Sequence, residues 1–558
     1  MKQSVRRAMV GLLLATQRRW AAMGVTTLLW GVGVLCVFIL YLAYMQPTGV
    51  HVVCECGREV ETAERAARHL PHLMAELDPA SNRTAEEAAE AWHPSLAVKF
   101  LVAQENRGSR CHVTPGLFSV RHSNLYWQEA LVSSTTFLIY GAYYDPRDHH
   151  EGPLVRVLVM VEEPWPPTPT CHLWYSTDAV PTATKAIRMD YIHWQEPLAG
   201  HWMPYLVTCR ARSDSKGMPE VVSLVSHACD QSTNALRVYH HQQQQQQQQQ
   251  EHQQESGEEQ EEEQAESSTG EKKDLALCHK FIFNPSKDFS KRLVEWLEAA
   301  RAWGVDEVTV YEGGSVHPNV SSVLQHYQHQ GFLHLLPWTN PGFHPSIPHL
   351  NRALYDTQRY DLFTMENVPY TDCLLRHINT HRYVGVWDMD EFVLPTAHAS
   401  IPAMLDEAKA RAESLGLRPT SYLARCSYYF DDQSEEPSDD LPEYLHLLRH
   451  VTRTVKITPL GVFTKSLHDT SNALALHAHF ALFNLNGTVD RNRDLYHLYP
   501  GNEAHLAHYR AKCQGESQEE CQTDFRPFQT RDTTMWRHRH AITRATTQVL
   551  LALRLIPP

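Results

Sequence analysis

The sequence predicts an α/β fold in which a helix-covered, mostly parallel sheet follows a small β-rich domain and a single N-terminal transmembrane helix. Strands alternate with amphipathic helices from Leu275 onward, and short β-type runs separated by turn residues fill residues 96–239. A stretch of 25 uncharged residues lies between Ala21 and Met45. The chain has 558 residues, 42% of them hydrophobic, which excludes a wholly disordered protein.

Residues 21–45 have the length and polarity of a membrane span. At ~1.5 Å per residue a helix of this length reaches roughly 37 Å, enough to cross a ~30 Å hydrocarbon layer. The preceding residues 1–20 carry five cations and no acid, which by the positive-inside rule predicts a cytosolic tail and a lumenal remainder. A cleaved signal peptide is the alternative. The apolar region of a signal peptide would be about 7–15 residues long, which is shorter than this span. The residues at its end, Tyr41–Met45, form a poor cleavage site. We therefore predict a retained signal-anchor.

The cysteines fit an oxidising compartment. There are twelve in the chain, and Cys36 falls in the predicted span. In a lumen the remaining eleven should mostly pair, leaving one free or intermolecular. Cys54 and Cys56, beside the membrane, are the candidates for a disulfide-linked homodimer. Cys513 and Cys521 are predicted to form a local disulfide rather than a metal site.

The region after the span divides into a stem at 46–95, the β-rich domain at 96–239 and a linker at 240–274. Thr84 and Glu87 form a predicted capping box in the stem. The linker has nine consecutive glutamines and then an acidic stretch, so it cannot bury apolar area and we predict that it is disordered. The formal charge of −14 argues against a nucleic-acid partner. The β-type runs are 96–102, 135–144, 154–161, 171–175 and 221–225.

Residues 275–545 are predicted to be the catalytic domain, followed by a tail at 546–558. Predicted strands lie at 277–283, 308–311, 332–336 and 383–387, and predicted helices at 288–303, 319–330 and about 371–378, the last after a proline-rich loop. Such alternation implies a parallel sheet, whose ligands bind beyond the carboxyl ends of the strands.

Asp388 and Asp390 directly follow the fourth predicted strand of this sheet. Two residues apart, they project to one side of an extended chain, and hard oxygen ligands of this kind suit Mg²⁺ or Mn²⁺. The alternative is a solvated loop that caps a helix. The sequence has no glycine-rich phosphate loop after the first strand, where Asn284-Pro285-Ser286 stands. The negative charge of a bound phosphate would therefore be neutralised by a metal ion.

At this point the chain resembles glycosyltransferase family 92. The resemblance rests on motifs in a fixed order: Cys278-His279-Lys280, Trp303–Val308, Gly331-Phe332, Pro337-Trp338, Asp372-Cys373, Trp387–Phe392, Lys465, His477-Ala478-His479 and His508-Tyr509-Arg510, with Ile139–Arg147 upstream. It implies a GT-A fold and a type II Golgi membrane enzyme that is inverting and Mn²⁺-dependent. It also implies a β1,4-galactosyl linkage made from UDP-galactose, with Asp388 and Asp390 as the metal and nucleotide-sugar motif.

Other candidate site residues follow from the motifs. His479 and His508 are the candidate third ligands of Mn²⁺ beside the two carboxylates, and the spacing from Lys465 favours His479 over His477 without deciding between them. Arg510 is a candidate phosphate contact. Inversion needs a carboxylate base near the acceptor hydroxyl. Its candidates are Glu391, Asp431, Asp432 and Glu443, and we prefer Asp431 or Asp432, which follow the aromatic run Ser427–Phe430.

The leading functional prediction is therefore a Golgi transferase that moves a hexose, most readily galactose, from a UDP-sugar to a glycan acceptor. One alternative is a transferase that uses a different UDP-sugar. Another, of a different class, is a catalytically inactive, sugar-binding membrane protein. A lumenal sulfotransferase would need a phosphate-binding loop after its first strand, and that loop is not in the sequence.

Overall fold

The computed structural model describes residues 84–104, 108–109, 111–148, 150–213, 217–240, 272–342, 344–433, 441–460, 463–488, 495–513 and 518–557. The predicted cytosolic tail, the membrane span at 21–45, most of the stem and both membrane-proximal cysteines lie outside these ranges. Within them, every helix is too short or too polar to cross a bilayer.

The first part of the described chain contains two short helices and eleven strands. The Thr84–Glu87 capping box is confirmed, since each side chain accepts from the other residue's backbone N–H. The elements are α1 (Ala85–Trp92), α2 (Val98–Gln104), β1 (Gly108–Ser109), β2 (His112–Val113), β3 (Gln128–Val132), β4 (Thr135–Asp145), β5 (Leu154–Val161), β6 (Thr170–Trp174), β7 (Thr182–Lys185), β8 (Arg188–Tyr191), β9 (Met203–Arg210), β10 (Val221–Val225) and β11 (Leu236–Tyr239).

The strand predicted at 96–102 is wrong, because this segment forms α2. Its buried residues Val98, Leu101 and Gln104 recur every three positions, a helical spacing that buries one face of the turn. Only Leu96, just before the helix, pairs like a strand, in an isolated bridge to Leu236. The other four predicted runs correspond to β4, β5, β6 and β10.

Nine of these strands form one sheet in the order β7-β6-β10-β11-β4-β5-β9-β8, with β3 paired to β4. All neighbouring pairs are antiparallel except β11 with β4. Strands β5 and β6 are buried along their whole length, which indicates that both faces of the sheet are covered.

The second part alternates helices and strands. Its helices are α3 (Ser290–Ala302), α4 (Pro318–His329), α5 (Pro348–Thr357), α6 (Arg359–His377), α7 (Ile401–Ser414) and α8 (Arg539–Ala552). Its strands are β12 (Lys273–Asn284), β13 (Glu307–Val316), β14 (Leu333–Pro337), β15 (His381–Val386), β16 (Glu391–Pro395), β17 (Ser421–Ala424), β18 (Cys426–Phe430), β19 (Thr452–Thr454), β20 (Lys465–Asp469), β21 (Ala473–Leu476), β22 (Ala481–Asn484), β23 (Gly487–Thr488), β24 (Tyr496–Leu498), β25 (Ala504–Arg510) and β26 (Gln529–Arg531).

The main sheet of this part has the order β14-β13-β12-β15-β20-β17-β24. Its first four strands are parallel, and the chain moves outward from β12 to β14 before returning to the other side of β12 as β15. The point between β12 and β15 is therefore a topological switch, where open α/β sheets bind ligands beyond the carboxyl ends of their strands. A smaller sheet, β16-β25-β18, continues from the end of β15.

The structure places the end of the predicted linker and the start of one predicted helix at other residues. The predicted linker ran to residue 274, but β12 begins at Lys273, and the preceding Lys272 already donates from Nζ to the carbonyl oxygen of Ile378 at 2.6 Å. The helix predicted at about 371–378 begins twelve residues earlier, at Arg359, and passes through Pro369. Proline is costly inside a helix, but here most of the helix is buried, and this packing outweighs the local preference.

The β-rich part contacts the α/β part through aromatic residues and an arginine. Trp127 donates from Nε1 to the carbonyl oxygen of Thr339 at 2.7 Å, and its ring lies 5.7 Å from that of Trp338. Arg147 pairs with Asp145 at 2.8 Å and donates to the carbonyl oxygen of Ala473 at 2.7 Å. The β-rich part is thereby held against the α/β part.

Four disulfides occur in the described residues: Cys111–Cys229, Cys171–Cys209, Cys278–Cys373 and the predicted Cys513–Cys521, which is confirmed. Cys426 is a buried free thiol.

Candidate functional site

Asp388 and Asp390 lie at the switch point, in the turn between β15 and β16. The backbone carbonyl of Asp388 accepts from the N–H of Glu391 at 3.0 Å, and the Glu391 carboxylate accepts from the N–H of Asp388 at 3.1 Å. This reciprocal pair fixes a tight turn directly after the buried Trp387. The strand end therefore presents both aspartates from a rigid loop.

Asp388 is surrounded by positive charge. The Nζ of Lys465 lies 3.2 Å from Asp388 Oδ2, and the Nζ of Lys280, on β12, lies 3.5 Å from Oδ1. Lys465 also pairs with Glu391 at 3.0 Å, and Lys280 with Glu366, on α6, at 2.8 Å. Burial alone would raise the pKa of the Asp388 carboxyl, but the two lysines outweigh it and hold the pKa well below its usual range.

Asp390 faces His508 on the neighbouring strand β25. Its Oδ2 lies 3.5 Å from His508 Nε2, while the other ring nitrogen lies 3.6 Å from Glu391 Oε1. Burial would lower the pKa of His508, yet its hydrogen bonds to Asp390 and Cys426 and the charge of Glu391 raise it to about 10. The Asp390 side chain is 56% exposed, so this pair opens toward solvent.

His477 and His479 lie side by side, with ring centroids 5.2 Å apart. His479 Nδ1 lies 2.7 Å from the carbonyl oxygen of Thr464, which can only accept. Its Nδ1 therefore carries the proton, and Nε2 keeps a lone pair suited to a metal. Burial lowers the pKa of His479 to about 4 and that of His477 well below its usual range, so both are neutral. The choice between them stays a prediction.

Arg510 ends strand β25 of the smaller sheet, and Asp431 and Asp432 directly follow its strand β18. Arg510 is two residues beyond His508 on β25, so their side chains share one face, and its Cζ lies 5.7 Å from the ring centroid of Tyr428. Strand β18 runs parallel to β25 with Phe430 opposite Arg510, so Asp431 and Asp432 begin at the same end of this sheet.

The two candidate bases have different surroundings. Asp431 Oδ1 lies 3.1 Å from His450 Nε2 and 3.8 Å from His446 Nε2, and Arg292 lies 3.7 Å from its other oxygen. Asp432 is 49% exposed and pairs with Arg526. Of the other two candidates, Glu391 is buried and paired with Lys465, and Glu443 is exposed.

Sequence reasoning missed the partners of Asp388. Lys280 and Lys465 belong to the motifs that carried the resemblance, but nothing in the sequence indicated that strands β12 and β20 bring both amino groups to one carboxylate. His446 and His450 also went unnoticed. Their spacing of four residues was the available signal, since it places two side chains on one face of a helical turn.

The predicted metal ligands are gathered only in part. Asp390 and His508 lie 3.5 Å apart, but the raised pKa of His508 means that a metal bound there would have to displace its proton. His479 presents the lone pair of Nε2. Asp388 is neutralised by lysines instead. Among the described residues, the groups with three ligand atoms within 4.8 Å of one another are Glu307/His377/His381 and Asp431/His446/His450.

Comparison with known proteins gives one match. Residues 273–544 match the family model described as Glycosyltransferase family 92, and they contain every element from β12 to α8 apart from the last turns of that helix. No curated protein matches the chain. Residues 273–544, the α/β part of the chain, belong to this family, and this membership supports a glycosyltransferase.

Proposed function

We propose that this glycosyltransferase moves galactose from UDP-galactose to a glycan acceptor, with inversion and formation of a β1,4 linkage, on the lumenal side of the Golgi membrane. The observation that carries the proposal is the position of Asp388 and Asp390 at the switch point of the matched segment. The four disulfides support a lumenal, oxidising location for this part of the chain.

The donor diphosphate would bind between β12 and β15. Asp390 and His508, once His508 has lost its proton, would hold Mn²⁺, with His479 as the candidate third ligand, and the bound ion would stabilise the charge of the departing UDP. Lys280 and Lys465 keep Asp388 ionised, so it can accept hydrogen bonds from the hydroxyl groups of the nucleotide sugar. Arg510, on the same face as His508, offers a planar fork for a phosphate oxygen.

The base for the acceptor hydroxyl would come from the end of β18. Asp432 is better placed than Asp431 because its carboxylate is half exposed and held by a single cation, Arg526. Asp431 faces two imidazoles and an arginine instead. We expect Asp432→Asn to lower kcat by about 100-fold or more, the usual range for a lost general base, while KM for the donor changes little.

The acceptor side is bordered by an aromatic residue from the β-rich part. Trp194 is 49% exposed and lies with its ring 6.0 Å from that of His477. Such a ring can stack on a sugar face while its edge stays in water. Trp194→Ala should raise KM for the acceptor and leave KM for the donor unchanged. Trp165→Ala, at an even more exposed tryptophan, is the matched control.

The direct test is a donor screen. The full chain, purified in detergent, is incubated with Mn²⁺, a mixed glycan acceptor and UDP-galactose, UDP-glucose, UDP-N-acetylglucosamine or UDP-N-acetylgalactosamine. We expect transfer from UDP-galactose and a β1,4 product by NMR. Transfer from another donor would refute the galactose assignment. UDP binding without any transfer would support the sugar-binding alternative.

The metal assignment has its own test. Asp390→Ala should lower activity by several orders of magnitude, because only water can replace the lost ligand. In a Mn²⁺ titration, His479→Ala should raise the concentration needed for half-activity, whereas His477→Ala should do much less. If Asp390→Ala keeps the wild-type rate while His477→Ala abolishes activity, the ligands lie elsewhere.

A further inference from the structure

A buried cluster of one glutamate and two histidines lies at the end of the main sheet opposite Asp388. Glu307 begins β13 and His381 begins β15, so both lie at the amino ends of parallel strands, and His377 ends α6. His381 and Asp388 lie at the two ends of β15, which at ~3.3 Å per residue separates them by about 20 Å. The cluster is therefore outside the donor crevice.

The carboxylate and the two imidazoles face one another. Glu307 Oε1 lies 3.3 Å from His377 Nδ1, and Glu307 Oε2 lies 3.7 Å from His381 Nε2. The side chains of Glu307, His377 and His381 are 7%, 6% and 1% exposed. One ligand atom of each residue lies within 4.8 Å of the other two. With metal bonds of ~2.0–2.1 Å, neighbouring ligand atoms of a tetrahedral Zn²⁺ site are roughly 3.3 Å apart, so little movement is needed to hold an ion.

His381 directs an unsatisfied ring nitrogen into this cluster. Its Nε2 is buried without a hydrogen-bond partner among the described residues, and the 3.7 Å to the Glu307 carboxylate is too long for a hydrogen bond. A buried polar atom that lacks a partner is destabilising. A cation held between this nitrogen and the carboxylate would satisfy both.

Both imidazoles have a hydroxyl group beside their other ring nitrogen. The Thr309 hydroxyl lies 3.2 Å from His377 Nε2, and the Thr380 hydroxyl lies 2.9 Å from His381 Nδ1. Each hydroxyl can accept from an N–H at that position, which leaves a lone pair on the nitrogen that faces Glu307. A hydrogen bond on the outer nitrogen is the support that orients a histidine ligand toward a metal.

The backbone around the two histidines is held in place. The Cys278–Cys373 disulfide joins β12 to α6 one helical turn before His377. The Thr470 hydroxyl donates to the carbonyl oxygen of His381 at 2.6 Å. The cluster is therefore preorganised, as ligand sites require.

Lys273 neutralises Glu307 when no metal is bound. Its Nζ lies 3.2 Å from Glu307 Oε2, but its side chain is 55% exposed. Because an ion pair of an exposed lysine contributes little, a dication held by three ligands can displace this amino group into solvent. His334 Nε2 lies 3.6 Å from Glu307 Oε1, and its side chain is 33% exposed, so a further nitrogen borders the open side of the cluster.

We propose that Glu307, His377 and His381 bind a first-row transition dication of the Zn²⁺ type at the amino ends of the parallel strands. Two imidazoles and a carboxylate are a common ligand set for such ions and leave a coordination position for water. The ion joins the start of β13 to the end of α6 and the start of β15, and it stabilises the sheet whose other end carries Asp388. It is separate from the Mn²⁺ of the donor crevice and does not depend on the identity of the donor sugar.

The test measures metal binding directly. The full chain, purified in detergent, is stripped with a chelator and titrated with Zn²⁺, and with Co²⁺, whose visible absorption reports nitrogen and oxygen ligation. We expect a tightly bound equivalent that raises the thermal midpoint of unfolding. His377→Gln and His381→Gln should each weaken the affinity by more than the ~10–100-fold that mere supporting partners of a ligand carry. Equal affinity in the wild-type chain and both variants would overturn the proposal.

Lys273→Met tests the site without removing a ligand, and its half-exposed position makes loss of the fold unexpected. Without the competing ammonium group, Zn²⁺ should bind about two- to fivefold more tightly, the range that corresponds to the loss of an exposed ion pair. Weaker binding in this variant would show that Lys273 supports the cluster instead of competing with the ion, and would overturn the proposal.

Three variants serve as controls. His329→Gln removes an exposed histidine of α4 and should retain the metal. Asp390→Asn should also retain it while transferase activity falls, which separates this proposal from the proposed function. Loss of the metal in His450→Gln instead of His381→Gln would place it elsewhere and overturn the proposal. Absence of any Zn²⁺ or Co²⁺ binding by the wild-type chain would overturn it as well.

Discussion

Lys465 offers the sharpest test of the charge arrangement around Asp388. Its side chain is 2% exposed and its Nζ pairs with both Asp388, at 3.2 Å, and Glu391, at 3.0 Å. Replacing it with methionine keeps most of the side-chain volume and removes only the charge. The buried Glu391 then loses its lysine, while the half-buried Asp388 keeps only Lys280, and breaking a buried pair costs about 3–5 kcal/mol.

The matched control is Lys99→Met. Lys99 also pairs with a carboxylate, that of Glu87, at 2.8 Å, but the two side chains are 54% and 36% exposed. An exposed pair contributes at most about 1 kcal/mol. At roughly 2 °C of thermal midpoint per kcal/mol for a domain of this size, Lys465→Met should lower the midpoint by roughly 6–10 °C and Lys99→Met by about 2 °C or less.

The assay is thermal unfolding of the detergent-purified full chain, followed by intrinsic fluorescence at neutral pH, with UDP binding measured by calorimetry. Lys465→Met should also weaken UDP binding, because Asp388 then takes up a proton more readily. Adding Glu391→Gln to Lys465→Met should restore part of the lost stability, since one uncompensated charge is removed. Equal midpoints for Lys465→Met and Lys99→Met would refute the reasoning.

Three further predictions concern the rest of the chain. Deletion of residues 242–270, which stops short of Lys272 and β12, should leave turnover within about twofold of the full chain, and a larger loss would show that this segment acts in catalysis. Asp145 has a pKa below its usual range because Arg147 and Arg156 outweigh its burial. Its stabilisation is therefore present above the unfolded pKa of ~3.9 and lost as the pH falls through the folded value. Asp145→Asn should lower the thermal midpoint at pH 7. Below pH ~4 the midpoint of this variant should fall less steeply with pH than that of the wild-type chain. The same pH dependence in both chains would contradict this assignment. In intact microsomes the α/β part should resist protease added from outside, and its digestion would contradict the predicted lumenal topology.

The sequence by itself determined most of the α/β part. Apolar spacing and the glycines Gly304 and Gly331 located β12, α3, β13, α4 and β14 to within a few residues, because helices and strands there are specified by local periodicity. The position of Asp388 and Asp390 at a strand end also followed from local pattern.

Tertiary structure decided what local pattern could not. Residues 98–104 became a helix through burial against the first sheet, and α6 continued through Pro369 because its surroundings bury it. The lysines around Asp388 come from β12 and β20, which lie about 185 residues apart in the chain but on either side of β15 in the sheet. The Asp431–His450 pair likewise forms between residues 19 positions apart in the chain. Charge neutralisation and metal ligation depend on such long-range proximity, which only the folded sheet order provides.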